Sequence, residues 1–181
     1  MVDDRKLTAL AKQVAKRLKA DDCRIVLAES CTGGLVSAVL TRIPGISQYH
    51  CGSAVVYQVE TKASWLGVPR SLLKNPGPVS PEVAGEMAIG ALRKTPQANV
   101  AAAVTGHLGP GAPPTQDGLV YLAFAWRPGK SRRPTVTVDK VELANERGDA
   151  LKDPQRRRLR RQRSASAHLL SWILKGLTSH E

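Results

Sequence analysis

The stretch RIVLAESCTGG, residues 24–34, decides the fold. It begins with a short apolar run at 24–29 that is typical of a buried strand. The small residues at 30–34 predict a turn, and the apolar pattern at 35–43 predicts a helix that Pro44 ends. A strand, a tight turn and a helix in this order form the repeating unit of layered α/β proteins.

Further helices and strands alternate along the rest of the chain. Helices are predicted over 5–20, 61–66, 81–94 and 155–177, and strands over 53–57, 99–105, 118–126 and 135–143. Strands separated by helices pair in parallel, whereas the last two strands follow each other directly and predict an antiparallel hairpin. The sequence therefore predicts one layered α/β domain over residues 1–181, with a mixed, mostly parallel sheet.

Composition excludes several classes of protein. The chain has 181 residues, of which 42% are hydrophobic, so it can bury a core and is not disordered. It contains no run of 18 uncharged apolar residues, and no apolar run near its start precedes a small-residue cleavage site. Neither a transmembrane helix nor a secretory signal is therefore predicted.

The cysteines and the net charge indicate the compartment and the kind of ligand. Three cysteines are an odd number without a regular framework, which predicts free thiols in a reducing, cytoplasmic environment. The net charge is +12, and six arginines fall within 155–163. Because this excess is localised and only 4% of residues are aromatic, it fits one anionic ligand or one partner surface better than a nucleic-acid surface.

The turn at 30–34 is the first candidate site. Ligands of α/β sheets bind at the carboxyl ends of strands, and a helix N-terminus offers unpaired N–H groups to an anion. Gly33 and Gly34 would let the backbone approach a ligand closely. The turn therefore predicts a phosphate or oxyanion site, with an ordinary helix cap as the alternative.

Three adjacent side chains in this turn could be nucleophiles: Ser30, Cys31 and Thr32. A cysteine needs an activated thiolate and is more often an apolar filler, whereas a serine needs a base. The spacing of the four histidines predicts neither a Ser–His–acid set nor a zinc site. These histidines are His50, His107, His168 and His180.

Two further segments follow strands and should border the same edge of the sheet. Tyr57 and Lys62 flank the start of a short helix, and Lys62 could be a base if burial lowers its pKa, or simply a surface lysine. The loop TGHLGPGAPP at 105–114 is rich in glycine and could contact phosphate or ribose. It lacks the GxGxxG pattern, so no dinucleotide cofactor is predicted, and His107 could contact a ligand or be solvated.

The arginine run is the fourth candidate. Arg156 and Arg160 are four residues apart, so they share one face of the closing helix, whose apolar face is predicted to include Leu159. That face could reach an anionic substrate, and the alternative is a solvated basic surface.

These motifs resemble those of the CinA C-terminal domain family, which includes nicotinamide-nucleotide amidases. The likeness begins with AESCTGG at 28–34 and covers nearly the whole chain. It continues through SAVVYQVETK at 53–62, LGVP at 66–69, GPVSPEVAGEMAIGAL at 77–92, the loop from Thr105, and the closing helix at Arg156 and Leu159-Arg160.

The resemblance implies a three-layer α/β/α sandwich that hydrolyses the carboxamide of nicotinamide mononucleotide without a cofactor or metal. Ser30 would be the nucleophile and Lys62 the base, with Tyr57 assisting. The partner would be a small nucleotide; no membrane or nucleic-acid partner is expected, and self-association is left open. The expected substrate-binding residues are Cys31, Thr32, Gly33, Gly34, Thr105, Gly106, Gly109, Arg156 and Arg160.

The chain departs from the family pattern at one rim of this site. Val59 stands where the family usually has Asn, and the loop at 106–117 lacks the usual Ile-Ala-Gly-Pro. Gly148-Asp149 is separated from Arg156, although these residues are normally adjacent. Three hypotheses follow: the family's amidohydrolase, a hydrolase of another amide, or a non-catalytic module that binds a nucleotide, nucleic acid or protein.

Overall fold

A computed structural model describes residues 2–127, 134–143 and 153–179. Gly148-Asp149 and His180 lie outside these ranges. The helices are α1 (Asp4–Ala20), α2 (Leu35–Leu40), α3 (Val59–Leu66), α4 (Arg70–Lys74), α5 (Pro81–Lys94) and α6 (Pro154–Thr178). The strands are β1 (Ile25–Glu29), β2 (His50–Val55), β3 (Val100–Gly106), β4 (Leu119–Trp126) and β5 (Thr135–Glu142).

The five strands form one mixed sheet in the order β2-β1-β3-β4-β5. The central strand β1 pairs in parallel with β2 and β3, whereas β4 is antiparallel to both β3 and β5. Four of the five strands therefore run in one direction. The predicted mixed sheet and its late antiparallel hairpin are confirmed.

Alternating side chains of the strands build two separate cores, one on each face of the sheet. Leu27 packs among residues of α1, α2 and α6, whereas its neighbour Ala28 packs among residues of α3, α4 and α5. This is the two-residue period of a strand that is buried on both faces. Helices cover both faces, so the sandwich has three layers, as the resemblance implied.

Close packing brings α3 against α5. A Cβ atom at Gly90 of α5 would lie 2.2 Å from the backbone oxygen of Leu66, where α3 ends. Only a glycine fits there, and this contact fixes α3, which carries Lys62, against the underlying helix. The predicted start of α5 is also confirmed, because Ser80 Oγ accepts a hydrogen bond from Val83 N at 3.3 Å.

Several element ends differ from the sequence prediction. The strand predicted at 53–57 begins at His50 and ends at Val55, which leaves Tyr57 in the loop beyond it. Helix α2 ends at Leu40, and the chain tightens through Ile43, whose N–H bonds Leu40 O at 3.0 Å. The short helix α4 was not predicted. No helix within the described ranges has both the length and the apolar character needed to cross a membrane.

Candidate active site

A cavity of about 250 Å³ opens at the carboxyl edge of β1, β2 and β3. The turn after β1, the start of α3 and the loop after β3 meet there, as the sequence predicted for ligand sites in α/β sheets. The residues around it include Ser30, Cys31, Tyr57, Lys62, Thr105 and Arg158. The structure thus brings together the predicted nucleophile, base and assisting tyrosine.

Of the three candidate nucleophiles, Ser30 and Cys31 line the cavity, and these two differ in reactivity. Ser30 is 7% exposed and follows directly after β1, and its backbone N–H is tied to Val104 O at 3.1 Å. Burial raises the pKa of the adjacent Cys31 thiol to about 12. A thiol with such a pKa stays protonated near neutral pH, and a protonated thiol is a poor nucleophile. The protonated state of the Cys31 thiol therefore favours Ser30 as the nucleophile.

Lys62 is a buried amine with few partners. Its side chain is 2% exposed, and Nζ lies 2.9 Å from Thr105 Oγ1 and 3.4 Å from Met87 Sδ. Burial lowers the pKa of Lys62 from 10.5 to about 8. Within residues 2–127, 134–143 and 153–179, no carboxylate forms an ion pair with this amine.

Ser30 and Lys62 both face the cavity without a direct hydrogen bond between them. Across the described part of the chain, the hydrogen-bond partners of Lys62 Nζ are Thr105 and Met87. Catalytic hydrogen bonds are often long in unliganded sites and tighten when the substrate binds. Both groups are therefore available to a ligand in the same cavity.

Arg158 of α6 reaches the mouth of the cavity. Its Nη1 donates to Gly109 O at 2.6 Å, and its Nη2 donates to the hydroxyl of Tyr57, a residue that is 58% exposed. Both acceptors are neutral, and no carboxylate among the described residues pairs with this guanidinium. The cavity is lined by Lys62, Arg158 and His107 but by no acidic side chain of the described chain, so it is suited to an anion.

The start of α2 is occupied by Glu29 and is not an open anion site. The buried carboxylate of Glu29 accepts hydrogen bonds from Val36 N at 3.1 Å and Ser37 N at 2.9 Å. Thr32 Oγ1 also donates to it, at 2.8 Å. Thr32, Gly33 and Gly34 do not line the cavity, since the turn leads away from it. Glu29 therefore takes the N–H groups that a phosphate at this helix start would need, which argues against the expected phosphate site.

The glycines of this turn have another role. Gly33 and Gly34 both have positive φ angles, 63° and 92°, which other residues rarely adopt. A Cβ at Gly33 would also lie 3.3 Å from Gln162 Nε2, which bonds Thr32 O. The two glycines thus allow the tight turn that brings Ser30 to the cavity.

The loop after β3 is held in place by a partly buried ion pair, in which the arginine is buried and the aspartate is partly exposed. Arg161 donates to both oxygens of Asp117, at 2.6 and 3.1 Å, and this lowers the pKa of Asp117. Gly109 has a φ of 63°, and a Cβ there would lie 2.6 Å from Asp117 Oδ1. Gly106 is equally tight against Val120, so both predicted glycines shape the cavity wall.

The structure places the predicted arginines away from the cavity. Arg156 is exposed, with its Nε 3.7 Å from Asp153 Oδ2, and Arg160 does not line the cavity either. Leu159 is 46% exposed, which contradicts its predicted place on the apolar face. Arg158 was missed because six arginines in one run look alike until the helix phase is known.

Among the other cysteines and histidines that the structure describes, His107 lines the cavity, whereas Cys23, Cys51, His50 and His168 do not. Cys23 and Cys51 are free thiols, as is Cys31. His50 contacts Ser37 Oγ at 2.8 Å on the other face of the sheet. In the described ranges, no group of three or more His, Cys, Asp or Glu side chains is placed to hold a metal ion.

The fold and cavity define a three-layer α/β domain with a serine and a buried lysine at the carboxyl edge of its sheet. A model of the CinA C-terminal domain matches residues 7–161. The chain belongs to this family.

Known relatives and structures agree with this assignment. The chain is similar to a CinA-like protein of Geobacter metallireducens, at 45% identity over 122 residues that make up 66% of this chain and 29% of that protein. A CinA-like protein of Myxococcus xanthus is 38% identical over 136 residues, or 73% and 32% of the two chains. The chain thus spans less than a third of these curated relatives.

Solved structures match over almost the whole chain. The competence/damage inducible protein CihA from Agrobacterium tumefaciens superposes with a TM-score of 0.81 at 30% identity, covering 96% of each chain. A CinA superfamily protein from Escherichia coli gives a TM-score of 0.79 at 25% identity, covering 97% of this chain and 93% of that one.

Proposed function

We propose that this domain is an amidohydrolase that converts nicotinamide mononucleotide to nicotinic acid mononucleotide and ammonia. The observation that carries the proposal is the buried Lys62 amine, which shares a cavity with Ser30. Its pKa of about 8 makes an appreciable fraction of it neutral near physiological pH. A neutral amine beside a serine is the arrangement that serine–lysine hydrolysis requires.

The reaction would proceed in two halves. Lys62 takes the hydroxyl proton of Ser30 while Ser30 Oγ attacks the carboxamide carbon and forms a tetrahedral intermediate. The C–N bond of the carboxamide then breaks, and Lys62 returns the proton to the departing nitrogen, which leaves as ammonia. In the second half, water attacks the acyl ester with Lys62 as base, and Ser30 recovers its proton as the acid is released.

Arg158 supplies the contact for the phosphate in this proposal. Its guanidinium lies at the mouth of the cavity on two neutral acceptors, so an anionic group gains a charge-assisted contact there. Tyr57, whose hydroxyl accepts from Arg158, holds that arginine in place. This assignment replaces the helix start of α2, which Glu29 fills, and the outward-facing Arg156.

A non-catalytic binding module fits the same residues less well. Burying an amine without a carboxylate partner destabilises the fold. An anion-binding site needs the charged ammonium, and burial works against that form by lowering the pKa of Lys62. An amide-cleaving site needs that amine, because the lowered pKa is what makes it a base. The energetic cost of Lys62 therefore favours catalysis over simple binding.

Ammonia release tests the proposed function. The full chain is assayed with nicotinamide mononucleotide, nicotinamide riboside, the dinucleotide and nicotinamide, and Ser30→Ala serves as the control. We expect turnover of the mononucleotide, weaker turnover of the riboside, and none with Ser30→Ala. Absence of ammonia from all four compounds would contradict the proposal and leave a hydrolase of another amide or the binding module.

A further inference from the structure

The partners of Lys62 determine where its lone pair points. Thr105 is buried, and its hydroxyl lies 2.9 Å from Pro78 O as well as 2.9 Å from Lys62 Nζ. A carbonyl oxygen can only accept a hydrogen bond, so the single hydroxyl proton of Thr105 goes to Pro78. Thr105 Oγ1 must then accept from Lys62.

The neutral amine has three positions around Nζ besides its bond to Cε: two N–H groups and one lone pair. One N–H points to Thr105 Oγ1, and the second is taken by Met87 Sδ at 3.4 Å. The third position is left for the lone pair. Because Lys62 lines the cavity and its other two directions face protein, the lone pair is directed into the cavity.

We infer that Thr105 is a positioning residue, which by accepting from the Lys62 amine aims its lone pair into the cavity that Ser30 lines. This inference rests on the proposed function for its catalytic consequence, but the geometry around Nζ can be tested without substrate. Thr105 would not touch the reacting atoms, and its effect would act through Lys62.

The groups around Lys62 simplify the test. The Cys31 thiol is the titratable group that acts on the Lys62 amine, and it is protonated throughout the relevant range because its pKa is about 12. Thr105 stabilises the ammonium form by accepting from it. Removing that acceptor should make the ammonium less favourable and lower the titration midpoint of Lys62.

The experiment follows the Lys62 Cε and Nζ resonances by NMR during a pH titration of the substrate-free chain, with the signal assigned by its loss in Lys62→Arg. In Thr105→Val, we expect the midpoint to move down by about one pH unit, the size of one hydrogen bond to a charged group. Thr105→Ser keeps the hydroxyl and should restore the wild-type midpoint. Met87→Leu should move the midpoint less, in the same direction.

Thr61→Val is the matched control. Thr61 Oγ1 also donates to a carbonyl, that of Gln58 at 2.7 Å, and it precedes Lys62 on the same helix without contacting Nζ. It should leave the midpoint unchanged. An unchanged midpoint in Thr105→Val would overturn the inference, whatever the result with Met87→Leu.

Activity provides the second readout. Thr105→Val should reduce kcat for ammonia release about tenfold with little change in KM, and Thr105→Ser should restore it. If the wild type releases no ammonia, the proposed function fails while the titration still decides the role of Thr105. If the wild type is active and the midpoint does not move, the positioning role alone fails.

Discussion

Two buried ionisable side chains at the carboxyl edge of the sheet, those of Glu29 and Lys62, differ in their hydrogen-bond partners. Glu29 is 0% exposed and accepts four hydrogen bonds, from two backbone N–H groups and two hydroxyls. Lys62 is equally buried but has a hydroxyl and a thioether as partners. A satisfied carboxylate stabilises its surroundings, whereas a poorly solvated amine holds its proton weakly and can act as a base.

The two groups act on opposite faces of the sheet. Glu29 follows Leu27 on the face of α1, α2 and α6, and it fixes the turn that presents Ser30. Lys62 contacts Met87 of α5 on the other face. Glu29 therefore supports the structure, whereas Lys62 serves the proposed chemistry. Each of the following predictions tests either the structural support or the chemistry.

The largest expected effect concerns the nucleophile. Ser30→Ala should reduce kcat for ammonia release by about 10⁴-fold or more, because it removes the attacking oxygen. Cys31→Ala should retain most activity, since the thiol is protonated and buried. Kinetics with nicotinamide mononucleotide measure both. Loss of activity in Cys31→Ala together with retained activity in Ser30→Ala would show that the cysteine is the nucleophile instead.

Burial of Lys62 should lower the free energy of unfolding by an amount that depends on pH. Its pKa is about 8 in the folded state against 10.5 when unfolded, so the unfolded chain binds more protons between these values. The free energy of unfolding contributed by Lys62 therefore rises with pH from about 8 to 10.5, by about 3 kcal/mol in total.

Denaturant unfolding of wild type and Lys62→Met at pH 7 and pH 10 measures this cost. At pH 7 the variant should be the more stable protein, and the difference should shrink at pH 10. Taking the difference between the two proteins removes the contribution of Cys23 and Cys51, which do not act on Lys62. If the wild type and Lys62→Met have equal free energies of unfolding at both pH values, burial of Lys62 does not destabilise the fold.

Glu29, unlike Lys62, should stabilise the fold, because both of its carboxylate oxygens accept hydrogen bonds. Glu29→Gln replaces one accepting oxygen by an NH₂ group that faces donors, which should cost about 2 kcal/mol and lower Tm by about 5 °C. Glu60→Gln is the matched control, since Glu60 pairs with Arg70 at the surface. Thermal unfolding compares them, and an unchanged Tm in Glu29→Gln would remove its structural role.

The smallest effect concerns the phosphate contact. Arg158→Ala should raise KM for the mononucleotide about tenfold and leave the phosphate-free riboside little changed, because one charge-assisted contact is lost. Arg156→Ala should change neither, since Arg156 is exposed beside Asp153. If Arg158→Ala leaves the ratio of the two substrates intact, the phosphate is bound elsewhere.

The local patterns of the sequence predicted most of the fold and the heart of the candidate site. The apolar run of β1, the small residues of the turn and the Ser80 cap are local signals, and the structure contains all three. The carboxyl-edge rule then placed Ser30 and Lys62 around one cavity. These local signals gave the order of the elements, although some ends, such as those of β2 and α2, differ from the prediction.

The errors arose where tertiary contacts decide. Leu159 is the apolar residue of its segment, yet Arg161 is the one buried, because Asp117 of a distant loop neutralises it. Arg158 lies three residues before Arg161, on nearly the same face of α6, and so reaches the cavity mouth. Glu29 also carried a signal in the sequence. An acidic residue at the end of an apolar strand needs hydrogen-bond donors, and the start of α2 provides them.

The pH dependence of kcat/KM tests the central claim, that Lys62 acts as a neutral amine, most directly. For the wild type and nicotinamide mononucleotide, kcat/KM should rise with pH and level off above about 8, the pKa of Lys62. The substrate phosphate titrates near 6 and does not interfere in this range. A profile that is flat between pH 7 and 9, or an active Lys62→Arg, would contradict the account.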